Sequence, residues 1–130
     1  MKRTKLRKQS KDKIAVLKRK LWKVFSAFIK RRDKGICFTC GRKCEGRGYH
    51  CGHYIPRSIC GIGLYFDEKN NHGQCYNCNI NLGGYGAMYH KKMIEKYGEK
   101  EVAELWRRKN EDIQKWSVED YQRLIKKYEN

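Results

Sequence analysis

The chain has 130 residues, which suits a single domain, and it contains no apolar run long enough to span a membrane. Its 31 Lys and Arg residues outnumber 14 Asp and Glu residues, which gives a formal net charge of +17. This excess favours a polyanionic partner, with nucleic acid as the first interpretation and an acidic membrane surface as the second.

The first quarter of the chain carries most of the positive charge. Residues 1–10 are basic and lack periodicity, which predicts a disordered arm. From residue 11 to 34, apolar residues recur every three or four positions, which predicts a helix that ends near Gly35. Of the 31 basic residues, 15 fall within residues 1–34 beside only two acids. We interpret the polar face of this helix as a phosphate-contacting surface, with a solvated basic face as the alternative. The candidate DNA contacts on it are Lys20, Lys23, Lys30 and Arg31.

Two Cys-x-x-Cys motifs predict a metal site. Cys37 and Cys40 form the first motif, and Cys75 and Cys78 form the second. This spacing lets both thiolates of one tight turn reach the same ion, so the four together predict a closed, structural zinc site. Cys44 is an alternative ligand. The N-terminus lacks the apolar segment of a secretory signal, so we expect a cytoplasmic protein whose seven cysteines serve metal binding rather than disulfides.

A β-hairpin is predicted between the two motifs, with strands at residues 49–55 and 64–66. After residue 85 the pattern is helical, and Ser117-Val-Glu-Asp resembles a capping box at the start of the last helix. The predicted fold class is therefore α+β, with a long basic N-terminal helix and C-terminal helices. The predicted plan is a disordered arm (1–10) and a single domain (11–130), which comprises a basic helix (11–34), a zinc-clamped core (35–85) and a helical scaffold (86–130).

His53 and Asn79 are the candidate catalytic residues of the core. His53 ends the first predicted strand, and Asn79 directly follows the second cysteine motif. A hairpin and helix held by zinc is the ββα-metal arrangement, in which a strand histidine activates water. Imidazole titrates near neutral pH, so His53 suits the proton transfer that phosphodiester cleavage requires. A hard cation, Mg2+ or Mn2+, would stabilise charge on the phosphate, and the side-chain oxygen of Asn79 can ligate it.

Several motifs together resemble one protein family. They are Gly52-His-Tyr, Cys37-Phe-Thr-Cys-Gly-Arg, and Phe66-Asp-Glu-Lys-Asn-Asn-His-Gly-Gln-Cys-Tyr-Asn-Cys-Asn. From about residue 21 onwards, the chain is similar to the phage NinG (Rap) recombination endonucleases of the HNH/endonuclease VII superfamily. The resemblance implies a zinc-clamped, treble-clef-like ββα nuclease in the bacterial host cell. It also implies branched DNA as substrate, such as a Holliday junction or D-loop, and Mg2+ or Mn2+ as the catalytic ion.

The resemblance also implies roles for single residues. By position, His53 would be the general base and Asn79 a metal ligand. Asn70 would brace the hairpin, with Asn71 as its alternative.

One position departs from the pattern of the superfamily. Many members carry an acidic metal ligand directly before the base, where this chain has Gly52. His50 is the candidate substitute, although strand alternation puts it on the opposite face from His53 unless a bulge intervenes. Asp67 and His72 are further candidates.

Other functional interpretations remain open at this point. Arg42 and Arg57 are candidate phosphate contacts near the centre. The alternatives to a branched-DNA nuclease are a non-catalytic zinc-stabilised DNA-binding module and a sequence-specific HNH nuclease of the homing or restriction type. Paired cuts on a two-fold junction favour a homodimer, with the apolar face of the first helix as the candidate interface.

Overall fold

Seven regular elements form the chain in the computed structural model, which describes residues 2–111 and 115–129. A 3-10 turn (Gly46–Gly48) precedes the first strand, and a π-helical turn (Asn77–Asn81) follows the second. The prediction of an α+β fold is therefore confirmed. The elements are α1 (Lys2–Arg32), β1 (Tyr49–His53), α2 (Ile62–Tyr65), β2 (Asn71–Cys75), α3 (Gly86–Tyr97), α4 (Glu99–Glu111) and α5 (Val118–Tyr128).

The first helix is longer than predicted. It begins at Lys2, so the segment predicted as a disordered arm is helical, apart from Met1, which lies outside the described residues. Residues 1–34 contain neither Gly nor Pro, and Lys, Arg, Leu and Gln are good helix formers. The last turn carries three basic residues, which complement the helix dipole. Gly35, with φ of +79°, follows the end of the helix as predicted.

The chain divides into two compact units, and the single domain predicted for residues 11–130 stays a prediction. One unit is Met1–Phe28 with Lys115–Asn130. Its core contains buried aromatic and aliphatic side chains of α1 and α5, and the Phe25 and Tyr128 rings meet edge to face at 5.1 Å. The predicted capping box is confirmed, since the Asp120 N–H donates to Ser117 Oγ and the Ser117 N–H donates to Asp120 Oδ2.

The second unit, Ile29–Gln114, contains the hairpin. Strands β1 and β2 pair antiparallel, with Tyr49 opposite Cys75 and His53 opposite Asn71. The prediction of a second strand at residues 64–66 is wrong, because residues 62–65 form the short helix α2 and the strand lies further on. The apolar Leu-Tyr-Phe sequence has high strand propensity, whereas β2 is polar and fully buried, so tertiary contacts override propensity here.

Two groups of contacts fix the hairpin within this unit. In the hydrophobic core of the unit, residues of the segment after β1 pack against α2, α3 and α4. At the end of α1, the Arg32 guanidinium donates to Asp33 and to the Glu68 and Asn71 carbonyls, while Asp33 accepts from the Gly73 N–H at 2.7 Å. Burial alone would raise the pKa of Asp33, but the bonds from Arg32 and Gly73 lower it. Among the described residues, no helix is both long and apolar enough to cross a membrane.

Candidate metal centres of the hairpin

The four predicted zinc ligands come together in space. The Sγ atoms of Cys37, Cys40, Cys75 and Cys78 all lie within 4.8 Å of one another. The Cys40 and Cys75 sulfurs are 3.7 Å apart. A tetrahedral zinc ion with Zn–S bonds of about 2.3 Å has sulfurs separated by roughly 3.8 Å. The cluster therefore fits zinc in chemistry and spacing, and it can hold one ion as a closed structural site.

Local backbone contacts build the two halves of this cluster. The first motif is a turn in which the Gly41 N–H donates to the Cys37 carbonyl, and the Phe38 N–H binds the Gly73 carbonyl of β2. Cys75 is the last residue of β2, and Cys78 lies in the π-helical turn that follows. Burial opposes ionisation of Cys37, yet hydrogen bonds from Thr39 and nearby backbone amides lower the pKa of its thiol to about 6.

Asn79 lies against one face of the hairpin, where it contacts His50 rather than His53. The Asn79 Nδ2 and His50 Nδ1 atoms are 3.0 Å apart, and His50 Nε2 is 3.1 Å from the Arg47 carbonyl. Because a carbonyl oxygen only accepts, His50 Nε2 carries the proton of the neutral ring, and Nδ1 accepts from the Asn79 amide. His50 thereby fixes which end of the Asn79 amide points toward the hairpin.

Gly52 lies on the same face, directly beneath two amide oxygens. A Cβ atom at Gly52 would lie 1.9 Å from Gln74 Oε1 and 3.1 Å from Asn79 Oδ1. The space that an acidic side chain at this position would enter is therefore filled by the side chain of Gln74, which is fully buried. Gly52 and the buried Gln74 side chain are therefore two parts of one packing arrangement.

His53 belongs to the opposite face. The regular register of the two strands contains no bulge, so alternation separates His53 from His50 and Gly52. Its Nε2 atom donates to the Tyr65 carbonyl at 2.9 Å, and its ring lies 4.7 Å from the Tyr65 ring, centroid to centroid. In the neutral ring this bond places the proton on Nε2, which makes Nδ1 the basic atom. His53 is half-buried at the end of β1.

His72 is a buried structural histidine rather than a metal ligand. Its Nδ1 is 3.0 Å from the Tyr89 hydroxyl, which donates to the Gly52 carbonyl, and its Nε2 is 2.8 Å from the Tyr97 hydroxyl. Because the single Tyr89 proton goes to the Gly52 carbonyl, His72 Nδ1 must carry a proton and donate. Burial, followed by the charge of Arg32, lowers the pKa of His72 to about 3, so the ring stays neutral.

The remaining predicted residues have separate positions. Asn70 is fully buried, and it bonds both the N–H and carbonyl of Ile55 and the Leu64 carbonyl. Asn71 donates to the Tyr65 and Asp67 carbonyls on the His53 side. Most of the candidate DNA contacts are exposed, and Lys30 is half-exposed. The exposed ones are Lys20, Lys23, Arg31, Arg42 and Arg57.

Sequence reasoning missed Gln74. A lone glutamine before a cysteine motif has no recognisable pattern, and its place opposite His50 follows only from the strand register. The one available signal was the unusual Gly52, since a glycine inside a strand indicates close approach of another group.

These features define an α+β protein in which a four-cysteine cluster, compatible with zinc, closes a two-stranded hairpin beside a cluster of histidine and amide side chains. Comparison with known sequences identifies the family. The sequence model of the family described as "Bacteriophage Lambda NinG protein" matches residues 1–130, and the chain belongs to this family.

Curated relatives agree with this assignment. The chain is 30% identical over 123 residues to "Protein ninG" of Escherichia phage 933W, an alignment that covers 90% of this chain and 59% of the relative. It is 28% identical over 123 residues to the proteins of the same name from Escherichia phage lambda and Salmonella phage P22, with 90% of this chain covered and 58% and 59% of those relatives. The chain thus spans less than two thirds of the length of these relatives. No solved structure matches it.

Proposed function

We propose that this chain is a metal-dependent DNA endonuclease that hydrolyses phosphodiesters in branched recombination intermediates, built on a zinc-clamped ββα-metal core of the HNH type. The observation that carries the proposal is the hydrogen bond between Asn79 and His50 at the junction of the hairpin and the π-helical turn. It presents an amide oxygen and the His50 imidazole beside the four-cysteine cluster, and the His53 imidazole lies at the end of the same strand. Hydrolysis of a phosphodiester needs this combination of a base and an oxygen ligand for a hard cation.

His53 is the general base of the proposed reaction. Its Nε2–H bond to the Tyr65 carbonyl orients the ring and makes Nδ1 the proton acceptor. A neutral imidazole can take a proton from water at physiological pH. The step that His53 performs is the removal of this proton as water attacks phosphorus.

A divalent ion, Mg2+ or Mn2+, would be held by the side-chain oxygen of Asn79. His50 is the second candidate ligand, and it would exchange its bond with Asn79 for the ion. When bound, such an ion neutralises charge on the phosphate and stabilises the leaving oxygen. His50 acts on this site by orienting Asn79 through the 3.0 Å contact. Amide oxygens suit both ions.

The basic residues supply the affinity for DNA. Lys20 and Lys23 are exposed on α1, and Arg42 and Arg57 are exposed on loops of the hairpin unit. Together with the net charge of +17, they favour a polyanion over a neutral partner. Binding of this kind releases counterions, so the affinity should fall steeply with salt concentration.

The experiment that tests the function compares matched linear, flap and four-way DNA substrates with Mg2+, Mn2+ or EDTA. We expect cleavage of the branched substrates with either ion and none in EDTA. Binding without cleavage in every metal would contradict the nuclease and support a non-catalytic zinc-stabilised DNA-binding module, which Gly52 favours because it supplies no acidic ligand. Cleavage of one linear site would instead support an HNH nuclease of the homing or restriction type.

A homodimer is part of the proposal for branched DNA, because a two-fold junction needs two incisions. The apolar face of α1 that we predicted as its interface is used in part within the chain, since Leu21 and Phe25 are fully buried. Sedimentation of the protein with and without a four-way junction tests this point. A monomer under both conditions would contradict it.

A further inference from the structure

We propose that Gln74 is a ligand of the divalent cation, and that its Oε1 atom and Asn79 Oδ1 together form the cation site over Gly52. The catalytic role of this site depends on the proposed nuclease function, but the binding of a cation does not. Gln74 thus supplies the oxygen that an acidic side chain before His53 would otherwise provide.

The first support is the orientation of the Gln74 amide. Its Nε2 atom donates to the Gly84 carbonyl at 2.9 Å and to Thr39 Oγ1 at 3.2 Å. A carbonyl oxygen can only accept, so the NH2 group must face Gly84 and the Oε1 atom must face Gly52. The amide cannot be reversed without turning its oxygen toward the Gly84 carbonyl.

The second support is an unsatisfied buried acceptor. Gln74 is fully buried, and among the described residues its Oε1 atom has no hydrogen-bond partner. Leaving a buried acceptor unsatisfied costs about 1–3 kcal/mol, and native proteins rarely retain such groups without a reason. A bound ion or ion-bound water at this point would satisfy the atom.

The third support is the convergence of a second oxygen on the same point. Gln74 Oε1 and Asn79 Oδ1 both lie within 3.1 Å of the position that a Gly52 Cβ would occupy. Asn79 presents its oxygen there because its Nδ2 end is held by His50. Two neighbouring amide oxygens are an arrangement that a bound cation stabilises.

The chemistry of this pair selects a hard cation. Amide oxygens without a carboxylate bind Mg2+ or Mn2+ weakly, because the site contributes no formal negative charge. The remaining positions would be filled by water and by a phosphate oxygen, whose charge increases the affinity. We therefore expect weak binding of the ion alone and tighter binding when DNA is present.

The Gln74 side-chain amide can be followed directly by NMR. Mn2+ added below stoichiometric amounts to the zinc-loaded protein should broaden the side-chain NH2 signals of Gln74 and Asn79 before those of Asn70 and Asn81. Asn70 is a suitable comparison because its amide is buried and fully bonded, and Asn81 because it is exposed in the same turn as Asn79. Equal broadening of all four signals would overturn the assignment.

Variants provide an independent test of the same site. Gln74→Met keeps the volume of the side chain and removes the oxygen, and Asn79→Ala removes the second oxygen from a half-exposed turn. We expect each to weaken Mn2+ binding, measured by electron paramagnetic resonance, by about tenfold or more. Asn81→Ala is the matched control and should bind as the wild type does.

The outcomes separate this inference from the proposed function. Wild-type affinity for Mn2+ in folded, zinc-loaded Gln74→Met would overturn the role of Gln74, whatever the protein cleaves. Loss of Mn2+ binding in both variants, together with a wild-type protein that cleaves no DNA, would support the cation site and contradict the nuclease.

Discussion

The Gln74 amide oxygen occupies the space above Gly52, 1.9 Å from where a Cβ would be. This relationship explains why the residue before His53 is a glycine, since any side chain there would displace Gln74 from the Gly84 carbonyl. We therefore expect substitutions at Gly52 and Gln74 to change the free energy of unfolding non-additively, because the two residues are in contact.

Gly52→Ala should destabilise the hairpin unit by about 1–3 kcal/mol, the usual cost of adding an atom to a packed site. Denaturant unfolding measures this cost. Gly48→Ala is the matched control, because a Cβ there would meet nothing within 4 Å. The cost of Gly52→Ala should shrink when Gln74 is also changed to Ala. An equal cost in both backgrounds would show that the Gly52–Gln74 contact is not its cause.

Zinc removal should unfold the hairpin unit, because the four-cysteine cluster connects both ends of the segment that contains β1 and β2. Metal analysis of the purified protein should find one zinc ion per chain. Cys40→Ser should lose this ion and lower the thermal midpoint, whereas Cys44→Ser should retain it, since Cys44 lies outside the cluster of four. Retention of zinc by Cys40→Ser would contradict the ligand assignment.

Protonation of His72 in the unfolded chain should lower the free energy of unfolding in mild acid. The pKa of His72 is about 3 in the folded protein, below its ordinary value of 6.5. The unfolded chain therefore binds a proton between these values that the folded chain does not, and stability falls as the pH drops from about 6.5 toward 3.

The slope from this single group is at most about 1.4 kcal/mol per pH unit. The free energies of unfolding of wild type and His72→Asn, measured from pH 7 to 5, isolate this contribution of His72. The other titrating groups are common to both proteins. The variant should be less stable at pH 7 and should lose less stability on acidification. Parallel pH profiles for the two proteins would contradict the burial of a neutral His72.

Charge reversal at the exposed arginines should weaken DNA binding without changing the fold. Arg42→Glu and Arg57→Glu should each lower affinity for a four-way junction and reduce the slope of log affinity against log salt. Fluorescence anisotropy over a range of salt concentrations measures both quantities. Glu119→Gln, at an exposed position on α5, is the control. An unchanged salt slope would exclude either arginine as a phosphate contact.

The parts of the structure that were predictable depend on local spacing. The four cysteines were found because a Cys-x-x-Cys turn brings two thiols together whatever surrounds it. The cap at Ser117 was found for the same reason. Strand alternation also correctly separated His50 from His53, since the hairpin register is regular.

The parts that were not predictable depend on contacts distant in sequence. Strand β2 is made of Asn, His, Gly and Gln, and its burial is stabilised by Asp33, Tyr89 and Tyr97 rather than by apolar periodicity. Because the sequence pattern predicts the second strand at residues 64–66, it does not reveal the pairing of His50 with Gln74. The contact between Asn79 and His50, rather than His53, follows from that pairing.

The central claim, that His53 is the base of a metal-dependent nuclease, is tested most directly by single-turnover cleavage of a labelled four-way junction in Mn2+. We expect His53→Ala to bind the junction as the wild type does but to cleave it about 100- to 10,000-fold more slowly. His90→Ala, which changes an exposed histidine on α3, should cleave normally. Cleavage by folded His53→Ala at the wild-type rate would contradict the account.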